Sequence, residues 1–261
     1  MTLKERVRVA AVGDVHYGKG SQGTLAHLFP RLNDEADVLV LCGDLTDYGL
    51  AEEAEVLAHD LTATVKIPIL GVLGNHDYEG GQQDRIKETL TKAGVNMLDG
   101  DACEVHGIGF AGVKGFAGGF GRGVLGAWGE PIVKQFVHEA VNETLKLEAA
   151  LARLRTTQKI AVMHYAPIRA TIEGEPLEIF PYLGTSRLEE PIGRYHVSAV
   201  VHGHAHAGSP EGRTVSGVPV YNVSLPLLHR MTPPIAYRVI ELSPIEEPAP
   251  SPYRRRATDN P

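Results

Sequence analysis

Cysteine, tryptophan and net positive charge are all scarce in this chain. Only Cys42 and Cys103 occur among 261 residues. That is too few for a disulfide framework, and their spacing forms no CxxC metal site. Both are read as buried thiols in a reducing compartment. Lysine and arginine total 25 against 32 acidic residues, a net charge of −7. This balance, with no basic stripe, argues against duplex nucleic acid as a partner. It does not exclude a small anionic substrate, because bound metal ions reverse the sign of the field locally. No apolar run approaches the roughly 20 residues of a membrane helix. Met1–Arg8 is polar and lacks the apolar core of a signal segment. The expectation is a soluble, cytoplasmic protein with no membrane partner. The single tryptophan, Trp128, is read as a packing residue rather than a base-stacking platform.

What is present is an ordinary globular composition, 43% hydrophobic and 22% charged, sufficient for one large domain with its own core. Val7–Val12, Val38–Leu41 and Ile69–Leu73 are short β-rich runs. Leu25–Ala36 and Leu50–Ala63, between them, read as helices, and Asp84–Ala93 as a third. Alternation of this kind predicts βαβ units with parallel pairing, an α/β fold. Glycines cluster from Gly107 to Gly129 and predict a long mobile loop or cap. Glu130-Pro131 then opens a long helix, proline being favoured in a first turn. Val133, Phe136, Val137, Val141, Leu145, Leu151 and Leu154 are its expected apolar stripe. Ile160–Met163 and Val197–Val201 read as further strands, Val218–Val223 and Tyr237–Leu242 as closely spaced antiparallel ones. From Pro244 the chain is rich in proline and charge, so residues 1–243 are taken as the domain and 244–261 as a disordered tail.

Five segments place metal-type ligands just after an apolar run. They are Asp14-Val15-His16, Gly43-Asp44, Gly74-Asn75-His76-Asp77, Met163-His164-Tyr165 and Gly203-His204-Ala205-His206. In open α/β sheets, ligands bind beyond the carboxyl ends of the strands. A mixed set of carboxylates, an amide and imidazoles suits manganese, iron or zinc better than calcium. Each element alone is weak, but all five occur in order, each at an expected strand end.

This set resembles the calcineurin-like metallophosphoesterases, whose signature runs D-x-H, GD, GNH[DE], H and GHxH. The resemblance covers residues 5 to 243 and implies two packed mixed β-sheets flanked by helices, a four-layer sandwich. It implies that Asp14, His16 and His206 bind a first metal ion, Asn75, His164 and His204 a second, and that Asp44 bridges both. A hydroxide bridging the two ions would attack the phosphate ester. His76 would sit over the substrate and protonate the leaving group. Asp47 stands where some relatives carry an aspartate that orients this histidine, with Asp77 as the alternative. Asn75 would also contact substrate. The protein phosphatase branch has GDxVDRG and GNHE; here Tyr48 replaces the arginine and Asp77 the glutamate. The GNHD form is more similar to the branch that includes cyclic-nucleotide phosphodiesterases.

Other signals weigh less. Gly121-Arg122-Gly123-Val124-Leu125-Gly126 matches GxGxxG, but no strand directly precedes it, as a dinucleotide site requires. Lys114 and Arg122 in that region are either solvent-exposed or substrate contacts, and Arg122 is taken as a substrate-binding candidate. His27, His59, His138 and His196 lack ligand context, whereas His202 and His229 lie near expected strand ends. The leading expectation is a phosphodiesterase acting on a small molecule or nucleotide. A phosphomonoesterase on the same site, and a metal-binding scaffold without catalysis, are the alternatives.

Overall fold

The protein is described here by a computed structural model covering residues 5–244. The expected tail therefore lies outside the described residues, except for Pro244. Four parallel strands, β1 (Val7–Val12), β2 (Val38–Cys42), β3 (Ile69–Val72) and β4 (Val95–Met97), build most of the first sheet. The second sheet holds β5 (Asp101–Val105), β6 (Ile108–Gly112), β7 (Gln158–Val162), β8 (Ala199–His202), β9 (Glu211–Arg213) and β10 (Pro219–Asn222). Within it, β6, β7, β8 and β10 run parallel, with β5 and β9 antiparallel at its edges. The chain then returns, and β11 (Arg238–Leu242) pairs antiparallel with β1.

The sheets pack face to face. Val9, Val40 and Val72 of the first share one core with Phe110, Ile160, Val162 and Val201 of the second. Helices cover both outer faces. Leu57 and Leu61 of Ala51–Thr64, and Ile86 and Leu90 of Gln83–Lys92, join the first sheet. Leu147 and Leu151 of Pro131–Arg153, with Ile192 of Glu189–Arg194, cover the second. This is the expected α/β sandwich of four layers. Strand β2 is buried along its whole length, which is why its sequence is an unbroken apolar run rather than an alternating one. Among the described residues, no helix is long and apolar enough to cross a membrane.

Several local expectations are corrected. The helix expected over Leu25–Ala36 is two short pieces, Thr24–Leu28 and Leu32–Glu35. Pro30 lies between them, lacking an N–H and disfavouring helix in the residue before it. The Gly107–Gly129 segment is not a free loop. It begins with β6, every residue of which is buried, and continues in backbone hydrogen bonds from Gly118 to Pro181 and from Gly119 to Gly184. The long helix forms as expected, but Leu145 is 55% exposed and Ala140, Leu147 and Ala150 are buried in its place. Val218–Val223 and Tyr237–Leu242 do not pair with one another, because β10 and β11 belong to different sheets. Trp128 is 73% exposed, not packed. Cys42 is buried and Cys103 half-buried, both free thiols.

Candidate metal centre

All five ligand segments lie immediately beyond the carboxyl ends of parallel strands. Asp14 and His16 follow β1, Asp44 follows β2, Asn75 and His76 follow β3, His164 follows β7, and His204 and His206 follow β8. Backbone bonds zip the first two segments together, from Asp14 N to Gly43 O at 2.9 Å and from His16 N to Asp44 O at 3.1 Å. The two sheets meet here as closely as backbone allows. A Cβ on Gly43, which has φ of +79°, would lie 2.6 Å from the His164 ring, so only glycine fits. Six non-glycine residues among those described have positive φ, and four of them are Asp14, His16, Asp44 and His204. Such backbone is sparsely populated and clusters at functional sites, where the surrounding structure enforces it.

The side chains form three groups, of which His16, Asp47 and His76 make one and the other two hold the expected ligands. Asp14, His16 and His206 offer ligand atoms within 4.8 Å of one another, and so do Asp44, His164 and His204. Asp44 faces both, with Oδ2 3.9 Å from His16 Nε2 and Oδ1 3.3 Å from His164 Nε2. Asn75 Oδ1 lies 2.8 Å from the same His164 nitrogen, so the structure brings all seven expected ligands together.

The donor set fits a cation. His164 Nδ1 lies 3.0 Å from the carbonyl of Cys42, which fixes its proton there and leaves Nε2 as a lone pair. That lone pair faces the oxygens of Asn75 and Asp44, and acceptors converging without a proton call for a positive ion between them. His16 Nε2 is likewise buried without a hydrogen-bond partner. Burial holds the His164 imidazole far below its ordinary pKa and lowers His204 to about 3, so both are neutral, the form that ligates metal. Burial also pushes the Asp14 carboxyl up to about 6, reinforced by Asp44 and opposed by His206. Two carboxylates buried side by side are costly unless paired with positive charge.

His76 stands beside the centre. Its ring packs edge-on against His16 at 4.6 Å, and Nδ1 lies 2.7 Å from the backbone carbonyl of Asp47. The orienting group is thus a carbonyl. The Asp47 carboxylate turns instead to His16, with Oδ1 3.6 Å from Nδ1. Asp77 does not orient His76 either. It is fully buried and accepts from Leu45 N, from Thr46 N and Oγ1, and from Gly74 N. It clamps the second and third ligand segments together. Burial raises its carboxyl to about 6.

Other candidates have surroundings of their own. Arg122 stands exposed on the 3-10 turn Gly121–Gly123. Lys114 is half-buried, its ammonium 4.8–5.4 Å from the ring centroids of Tyr78, Phe116 and Tyr165, an aromatic cage rather than open solvent. His202 is a buried packing residue bonded to Thr171 Oγ1 at 2.8 Å. The carbonyls of Cys42 and of Tyr182, which lies 3.2 Å from His204 Nε2, were invisible to sequence reasoning, since a backbone contact has no residue signature.

The family model described as calcineurin-like phosphoesterase matches residues 7–208. A phosphopantetheinyl hydrolase from Mycobacterium tuberculosis superposes with a TM-score of 0.64 at 17% identity, covering 98% of this chain and 99% of its own. A Thermus thermophilus protein does so with a TM-score of 0.54 at 18% identity, covering 85% and 91%. The Plasmodium protein described as the anchor in the inner membrane complex gives 0.52 at 13%, covering 85% and 73%. At these identities the likeness speaks to the fold alone. Among curated proteins, none matches this chain.

Proposed function

Because this chain belongs to the calcineurin-like phosphoesterase family, metallophosphoesterases acting on phosphoric esters, we propose that it hydrolyses a small phosphodiester with two metal ions. Asp14, His16 and His206 hold the first and Asn75, His164 and His204 the second, with Asp44 shared. The observation that carries this reading is the pair of ligand clusters that Asp44 faces from between. Manganese, iron or zinc suits these donors. When bound, two such ions supply an acidified water and neutralise the phosphoryl oxygens.

The remaining work falls to the chain. The Asp47 carbonyl holds Nδ1 of His76, so the opposite nitrogen, Nε2, delivers the proton to the leaving alkoxide. The amide of Asn75 contacts a phosphoryl oxygen while its carbonyl oxygen serves the second metal. Arg122, on its exposed turn, contributes only long-range attraction for the anion.

The diester preference rests on where the cations are. A monoester dianion draws extra cationic donors, and the cations nearest in sequence or space to the ligand segments are held by other groups: Arg230 donates to the backbone carbonyl of His206. Arg169 is paired with Glu173 and stacked on Phe180, Arg187 donates to the Leu125 carbonyl, and Lys114 is caged. The test compares kcat/KM for bis-nitrophenyl phosphate and nitrophenyl phosphate in the same metal and at one pH. The diester is expected to win; a clear preference for the monoester sinks the reading and promotes the phosphatase alternative. A phosphopantetheinyl compound, after the name of the M. tuberculosis relative, belongs in the same turnover screen.

A further inference from the structure

We propose that Tyr17 and Asp60 are positioning residues for the first metal site, holding His16 in its ligand conformation from outside the ligand set. The inference rests on the assignment of His16 as a ligand. His16 has φ of +43°, a backbone state that a non-glycine residue keeps only when its surroundings impose it. On its N-terminal side β1 supplies the constraint. On its C-terminal side the chain enters Gly18-Lys19-Gly20-Ser21-Gln22-Gly23, a loop with three glycines and no regular structure. Tyr17 is the last residue that can anchor the ligand before that loop begins.

The anchor is complete. Tyr17 is 1% exposed. Its N–H donates to Leu45 O at 2.9 Å and its carbonyl accepts from Asp47 N at 3.1 Å. Its hydroxyl donates to Asp60 Oδ2 at 2.5 Å and accepts from Leu25 N at 3.1 Å. The same Asp60 oxygen accepts from Gly23 N at 2.6 Å. One buried carboxylate oxygen thus ties the entrance of the loop to its exit. Asp60 sits on the helix Ala51–Thr64, fixed to the core through Leu57 and Leu61. Asp60 belongs to none of the ligand groups and Tyr17 carries no imidazole, thiol or carboxylate, while Tyr17→Phe leaves the backbone bonds to Leu45 and Asp47 in place, so the hydroxyl is expected to act on metal through its neighbour His16. Groups that orient a metal-bound histidine from one shell out commonly change metal affinity by about 10–100-fold.

The experiment is a manganese titration of the full chain by calorimetry, with a melting curve for each variant. Wild type is expected to bind two ions. Tyr17→Phe keeps the ring and loses the hydroxyl, so one site is expected to weaken about 10–100-fold while the other holds. Asp60→Asn, made alone, should keep most of the wild-type affinity, because an amide oxygen in place of Oδ2 still accepts from Tyr17 and Gly23. Tyr237→Phe removes a comparable tyrosine–carboxylate bond, to Glu35 Oε2 at 2.6 Å, and should leave both sites unchanged. The proposal is overturned if Tyr17→Phe binds manganese as Tyr237→Phe does. It is also overturned if Tyr17→Phe weakens both sites equally with a collapsed melting temperature. A wild type that fails to bind two ions overturns the ligand assignment itself, a result visible before any variant is compared.

Discussion

The backbone carbonyl of Asp47 lies 2.7 Å from Nδ1 of His76, while the carboxylate of the same residue faces Nδ1 of His16 at 3.6 Å. One residue therefore serves two histidines with two different groups. Asp47→Ala keeps the carbonyl and removes the carboxylate. Metal retention should fall by about 10–100-fold, while the dependence of rate on leaving group stays as in wild type. Normal metal content with a lost leaving-group effect would show that the carboxylate acts on His76 after all.

His76→Ala should give the opposite pattern. Metal content is expected to be normal and turnover to fall about 10²–10⁴-fold for alkyl esters. The loss should shrink for nitrophenyl esters, whose leaving group needs no proton. Equal losses for both would count against His76 as the proton donor.

Asp44→Asn preserves shape and removes one charge from a group that faces both clusters. Both metal affinities are expected to drop together. Two ions per chain surviving dialysis would show that the carboxylate is not shared.

Asp77→Ala should act on stability. The carboxylate is fully buried and satisfies donors on Leu45, Thr46 and Gly74. Each orphaned buried donor costs about 1–3 kcal/mol, so a loss of about 3 kcal/mol or more is expected in denaturant unfolding of the metal-free protein. A loss below about 1 kcal/mol would mean that the clamp is dispensable.

The candidate ligand segments were legible because each follows an apolar strand and, in four of the five, glycine marks the tight turn. Their meeting point could be expected from the parallel order of β1, β2 and β3. What escaped was mainly non-local. Gly109 and Gly112 of β6 resemble loop glycines, yet a side chain at Gly112 would strike Leu98 at 2.5 Å. They are small because layers press on them, and composition alone cannot distinguish that from flexibility. The separation of β10 from β11 depends on which edge each strand finds, and nearness in sequence gives the wrong answer. In the long helix, Glu143 is buried because Gly115 N and Lys146 Nζ bind it, at 2.8 and 2.7 Å. A hydrophobic stripe predicts no such residue. Asp47 lies beside His76 and His16, but its contact with His76 Nδ1 is through the carbonyl that every residue possesses.

The seam between the sheets has a consequence for biosynthesis. Asp14, His16, Asp44 and Asn75 belong to the first sheet, His164, His204 and His206 to the second. β11, the last described strand, returns to pair with β1 beside the first ligands. A nascent chain emerging from the ribosome can therefore expose four of the proposed ligands long before their counterparts exist. Metal capture should be among the last events of maturation, and ions met earlier would find only half of a binding site. A fragment ending at Val162 should accordingly retain no metal pair; tight binding of two ions by such a fragment would refute this order of assembly.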